Sequence, residues 1–149
     1  MCAIYGDPDV VKFVGDSKPL SEDMCKHWID VTDKNFDSRG YGMVAFIERS
    51  SGELIGCGGI VHPDQQPEPE LKYALRRDAW GKGFATEAVA ALVKYSVQTL
   101  GIEWIIATIA PGNTLSQRVI AKVGFTHVRD RIEEDLTSTQ IWELSNNSL

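Results

Sequence analysis

The stretch Tyr73-Ala74-Leu75-Arg76-Arg77-Asp78-Ala79-Trp80-Gly81-Lys82-Gly83-Phe84-Ala85-Thr86-Glu87 decides the fold. Its first three residues read as the end of a strand begun at Glu70. From Ala85 to Leu100 no glycine or proline interrupts the chain, as a long helix requires. Between strand and helix stand two glycines separated by one lysine. A glycine-bearing turn that opens a helix aims several backbone N–H groups one way, and with the helix dipole these favour a phosphate-sized anion. Two other phosphate loops fit poorly. A Walker A loop needs four residues between its glycines and then Lys-Ser/Thr. A dinucleotide fingerprint needs Gly or Ala where Thr86 stands and an acidic residue ending the next strand, whereas Glu103 opens it.

Working outward, Ser21 reads as an N-cap with Glu22 and Asp23 in the first turn. Met24, Trp28 and Val31 recur at helical spacing, which predicts a helix over Ser21 to Lys34. Tyr41 to Glu48 and Glu53 to Val61 read as a hairpin turned at Ser50-Ser51-Gly52. Gly56, Gly58 and Gly59 inside its second strand point to a bulge or the close approach of another group. Pro63 to Pro69 is a polar, proline-rich loop. The long helix is expected to present Ala88, Leu92 and Tyr95 on one face. The apolar run Glu103 to Ala110 predicts a central strand, parallel to the one before the helix because a helix connects them. Pro111-Gly112-Asn113 opens a short helix ended by Gly124, and Phe125 to Ile132 pairs with Ser138 to Leu144 as a last hairpin. The expected fold class is α/β, a mixed sheet flanked by helices, in a single domain over residues 1–149.

With 149 residues, 43% of them hydrophobic and 24% charged, the chain suits one globular core. A net charge of −6 argues against a general nucleic-acid partner and mildly favours cationic substrates such as amines, though solubility alone explains it. No apolar run approaches a membrane span, and Met1 to Asp7 resembles no signal peptide. Cys2, Cys25 and Cys57, with the scattered His27, His62 and His127, form neither a disulfide framework nor a metal site; a reduced cytoplasmic setting is expected.

The segment Trp80-Gly81-Lys82-Gly83-Phe84-Ala85-Thr86-Glu87-Ala88 resembles the acetyl-CoA loop of the GNAT superfamily of N-acetyltransferases, which reads Gln/Arg-x-x-Gly-x-Gly/Ala. Gly83 and Ala85 fill its last two places and Trp80 its first. With the second block, Asn113-Thr114-Leu115-Ser116 through Gly124-Phe125, it is similar to the branch containing the ribosomal-protein alanine acetyltransferases. The resemblance runs from about Asp7 to the last strand. It implies the GNAT fold, in which two central strands splay and the pantetheine arm lies between them. It also implies acetyl-CoA as co-substrate, no metal, and a primary amine acceptor, either a protein N-terminus or a small molecule. Gly6 to Phe13 resembles the segment after that branch's first strand, so that strand is expected to be missing and its place open to a partner chain. Monomer and homodimer both stay open.

The same resemblance suggests roles residue by residue. The backbone from Gly81 through Lys82, Gly83, Phe84 and Ala85 to Thr86 would cradle the diphosphate, and the Tyr73 and Leu75 backbone would bond the pantetheine amides. Trp80 is open between packing on the loop, on the cofactor or in the core. Asn113 would contact the cofactor arm, cap its helix, or both. Ser116 would donate a hydrogen bond to the departing sulfur. Arg118 and Lys122 would meet phosphates unless they are simply solvated. Glu70 is the candidate base, taking the amine proton through water; an acidic loop edge is the competing reading. Lys72 falls where the branch commonly has glycine. Two readings stand beside the enzyme: a catalytically weak acetyl-CoA-binding module, and a nucleotide-binding protein unrelated to acetyl transfer.

Overall fold

The computed structural model describes residues 1–145. In chain order these form α1 (Cys2–Tyr5), α2 (Pro8–Val11), α3 (Glu22–Arg39), β1 (Met43–Ile47), β2 (Leu54–Val61), β3 (Glu70–Leu75), α4 (Phe84–Gln98), β4 (Trp104–Ile109), α5 (Thr114–Val123), β5 (Thr126–Ile132) and β6 (Ser138–Ser145). One six-stranded sheet takes the order β1-β2-β3-β4-β6-β5. The β3–β4 pair is parallel and the others antiparallel, so the expected mixed sheet is present. β4 lies between β3 and β6, and its alternate residues Ile105, Ala107 and Ile109 are buried.

Side chains alternate across a strand, so Leu71 and Tyr73 point to one face of β3 and Ala74 to the other. The first face is covered by α4 and α5. Val89, Val93 and Ile120 pack there against Leu71, Ile105, Ala107 and Leu144. Each of the branched side chains among them contributes roughly 1.5–3 kcal/mol by leaving water. The second face carries Ile4, Tyr5 and Val11, packed with Ala74, Cys57 and the partly buried Trp28. The Tyr5 and Trp28 rings meet edge to face at 5.3 Å, which fastens α1 to α3.

Several expectations need correction. α3 continues beyond Lys34 to Arg39, because no breaker occurs until Gly40, which ends it with φ 78°. Of its predicted apolar spine only Trp28 packs against the core, while Met24 and Val31 are exposed and Cys25 is the residue it buries. The α4 face is also rotated. Leu92 of the expected face packs on the core beside the buried Val89, Val93 and Ser96, but Tyr95 is 52% exposed, so the inward face is centred on the Val89–Val93 side. The two short helices before Ser21 were not foreseen, although Asp7, whose carboxylate accepts from the Asp9 N–H, and Pro8 form a recognisable start. β1 is the outermost strand, and among the described residues none pairs with its outer edge, where the branch's first strand was expected to be absent.

The glycine-rich β2 behaves as expected. A Cβ on Gly58 would stand 2.9 Å from the Tyr73 Cβ, and one on Gly56 would stand 2.6 Å from the Ala74 carbonyl oxygen, so β3 comes too close for larger residues. A bulge is present there as well: Phe46 faces Gly56 and Ile47 faces Leu54, so β2 carries the extra residue, Ile55, beside Gly56.

Candidate active site

The site begins where β3 and β4 part. They pair at Glu70 opposite Ile106, with the Ile106 N–H donating to the Pro69 carbonyl at 2.9 Å. Among the described residues no later pair joins them. Arg76 donates its N–H to Ile55 O at 2.8 Å, so Arg76, Ala74 and Lys72 spend their backbone bonds on β2. By the alternation of an antiparallel ladder, Tyr73 and Leu75 turn their N–H and C=O groups into the opening towards β4. Leu75 O is already taken by the Trp80 indole N–H at 2.9 Å, which ties the following turn back to the strand end. Trp80 itself is 40% exposed, so it is a tether and not a core anchor.

At the open end stands the N-terminus of α4. Gly83 is its N-cap at φ 84°, and Gly81 takes φ 72°. A Cβ at either would meet no atom within 4 Å. Glycine is therefore needed there for its left-handed backbone and not for space. Gly83 has no side chain to cap the helix, and the Glu87 N–H closes the first turn onto Gly83 O. The N–H groups of Phe84, Ala85 and Thr86 thus keep the free hydrogen-bonding capacity of a helix start, in the positive end of the dipole. Lys82 lies exposed between the glycines. Behind the turn, Arg76 and Asp78 are ion-paired at 2.5 Å, and this pairing chiefly holds the Asp78 carboxyl below its usual range, with Lys82 adding slightly.

On the α5 side, Asn113 caps the helix: its Oδ1 accepts from the Ser116 N–H at 3.2 Å. The Ser116 hydroxyl lies 2.8 Å from the Tyr73 hydroxyl. Burial pushes the Tyr73 phenol up to about 12, partly offset by this serine, so the ring keeps its proton at neutral pH. Sequence reasoning singled out both residues but not their contact, which joins positions 43 apart. Arg118 is exposed and has no polar partner among the described residues. Lys122 lies beside Lys94 and Gln98 in a groove between α4 and α5. Lys94 is eleven residues along from Gly83, or about 16 Å of helix, so Lys122 does not converge on the glycine turn.

The floor of the opening is a polar cluster on the other face of the sheet. Glu70 is only 2% exposed. Its Oε1 receives the Lys72 ammonium at 2.5 Å and the Thr108 hydroxyl, and its Oε2 accepts from Gln66 Nε2 at 3.1 Å. Lys72 Nζ also donates to Thr108 Oγ1 at 2.8 Å. The cluster extends outward. The Gln66 carbonyl accepts from His62 Nδ1 at 2.9 Å, and His62 Nε2 meets the Tyr41 hydroxyl at 2.9 Å. Since a carbonyl only accepts, Nδ1 carries a hydrogen. In the neutral ring Nε2 then takes its hydrogen bond from Tyr41. Thr108, Gln66, His62 and Tyr41 carried no signal in the sequence, because this cluster exists only once the sheet is assembled.

Comparison with known proteins agrees with this geometry. The family model described as acetyltransferase (GNAT) domain matches residues 1–126. A relative from Bacillus subtilis (strain 168), YkkB, is 32% identical over 126 residues, covering 81% of this chain and 70% of its own. The N-acetyltransferase p20 of Bacillus licheniformis is 28% identical over 127 residues, covering 84% and 71%. Among solved structures, a GNAT-family acetyltransferase from Bordetella pertussis superposes with a TM-score of 0.76 at 25% identity, covering 85% of this chain and 78% of its own. The fold also matches that of a Vibrio cholerae spermidine N-acetyltransferase complexed with CoA and spermine, with a TM-score of 0.76 at 15% identity, covering 97% and 86%. The chain belongs to the GNAT family of acetyltransferases. No helix among the described residues is long and apolar enough to cross a membrane.

Proposed function

We propose that this chain, acting as a single GNAT domain, moves an acetyl group from acetyl-CoA to a primary amine. The observation that carries the reading is the opening between β3 and β4. It is lined by the unspent Tyr73 and Leu75 N–H groups and faced at its mouth by the start of α4, which has no side-chain cap. The diphosphate would sit on the N–H groups of Gly81 to Thr86, with the pantetheine arm running along β3. The Ser116 hydroxyl would donate to the departing sulfur. Holding thioester and amine together supplies much of the rate. In balance, the amine nitrogen bonds to the acetyl carbon, the carbon–sulfur bond breaks, and sulfur leaves with the electron pair. The proton shed by the amine passes to the base and finally to thiolate or solvent.

Glu70 is the base in this reading. Both its oxygens are occupied, so it would act through the Thr108 hydroxyl or a water and not by direct contact. That same occupancy favours the second reading, an acetyl-CoA-binding module of low activity. The acceptor is a protein N-terminus or a small-molecule amine. Trp80-Gly81-Lys82-Gly83 keeps the ribosomal-protein alanine acetyltransferase branch as a place to look, and the acceptors of the comparison proteins add polyamines. The test is a panel of these amines incubated with acetyl-CoA while free thiol is measured. Amine-dependent thiol release supports transfer. Binding of CoA with no release for any amine class overturns it in favour of the module, and preferential binding of ATP or NAD overturns both.

A further inference from the structure

The Tyr73–Ser116 contact has a use beyond packing, and the inference drawn from it rests on the acetyl-transfer reading. Ser116 is held at two points. Its N–H is fixed to Asn113 Oδ1, and its oxygen lies 2.8 Å from the Tyr73 oxygen. No other partner for the Ser116 hydroxyl occurs among the described residues. A hydroxyl can donate once, so the direction of this bond decides what the serine can do. If the serine donates to the phenol, its hydrogen is spent. If the phenol donates to the serine, the serine's own O–H is free and its orientation is fixed by the bond it accepts.

We infer that Tyr73 is a positioning residue that donates to Ser116 Oγ, so that the serine O–H is aimed into the opening at the sulfur of the leaving thiolate. A phenol is the more acidic hydroxyl and the better donor of the pair. Its burial keeps it protonated throughout the range in which an amine acetyltransferase works. The ring comes from the same strand that presents the Tyr73 and Leu75 amides. One strand would therefore align the pantetheine through its backbone and the sulfur's donor through one side chain. No proton need leave the pair: sulfur's developing charge is met by a hydrogen bond while its electron pair departs with CoA.

The experiment is a cycle of Y73F, S116A and the double variant, read as thiol release from acetyl-CoA with a saturating amine. Y73F keeps the ring and its packing, and thermal melting confirms folding in each case. The expected result for Y73F is a kcat about tenfold lower, the order of one oriented hydrogen bond, with KM for acetyl-CoA within about twofold. In the S116A background the same change has no further effect, because the tyrosine acts only through the serine. Acetyl esters with a good leaving group, such as p-nitrophenyl acetate, lose little in either variant. Full activity in Y73F, a loss confined to KM, or a loss repeated undiminished in the S116A background would each overturn the inference while leaving acetyl transfer intact. Wild-type protein that releases no thiol would instead remove the reading beneath it, and this inference with it.

Discussion

The glycine turn before α4 and the polar floor beneath β3 adjoin the same strand, yet they are built in opposite ways. The turn is made of backbone. Its character follows from two residues with φ of 72° and 84° and from a helix that begins without a side-chain cap. All of that is local, so it can be read from a dozen consecutive letters. The floor is made of side chains delivered by separate segments: Gln66 from a loop, Glu70 and Lys72 from β3, and Thr108 from β4. Its existence depends on the parallel register that puts Glu70 opposite Ile106. The turn therefore depends on a few adjacent positions, whereas the floor depends on four side chains meeting from three segments.

This contrast can be broken most severely at the floor. Lys72→Met leaves the Glu70 carboxylate buried without its cation. A fully buried pair broken this way loses roughly 3–5 kcal/mol, but the Lys72 side chain is 40% exposed, so a loss of about 2 kcal/mol in urea unfolding is expected. Unchanged stability would mean that the floor is a solvated cluster. At the turn, Gly83→Ala forces an L-residue to φ 84° and should cost about 1–2 kcal/mol, with CoA affinity reduced roughly tenfold. Equal loss of binding in both variants would erase the distinction between the regions.

A smaller effect tests Tyr73, on the strand between them. Tyr73 titrates near 12 in the folded chain, above the ordinary 10.0, because burial disfavours phenolate. The folded state therefore holds its proton where the unfolded chain has lost it. Its contribution to stability is complete below pH 10 and declines as pH rises from about 10 to 12. Phenolate absorbance should show a step near 12 that Y73F removes. If this tyrosine titrates near 10, the ring is open to water. The smallest effect belongs to ordinary surface. Lys26→Ala, which removes the exposed i,i+4 pair with Glu22, should stay within about 0.5 kcal/mol of wild type.

How much the letters reveal follows the same division. The strand–turn–helix around Gly83, the final hairpin and the parallel pair are each set by short-range punctuation and apolar runs, and they stand as expected. On α4, Ala88, Leu92 and Tyr95 form as regular an apolar stripe as Val89 and Val93, yet Leu92 packs on the core and Tyr95 is exposed. Only tertiary packing chooses Val89 and Val93, which meet the sheet. Glu70 stood out as a carboxylate beside the opening. Its engagement by Thr108, 38 residues away, had no trace in spacing. Asn113 was readable as an N-cap because capping is local. The Tyr73–Ser116 bond was not, since it forms only when α5 lies over β3.

Everything proposed for this chain rests on backbone amides at the start of α4 holding a diphosphate. Isothermal titration of CoA and of pantetheine, which lacks the diphosphate, into wild-type and Gly83→Ala protein tests it most directly. CoA should bind wild type far better than pantetheine does, and the substitution should erase most of that advantage while leaving pantetheine unchanged. A folded Gly83→Ala protein that still prefers CoA to the full wild-type extent would contradict it.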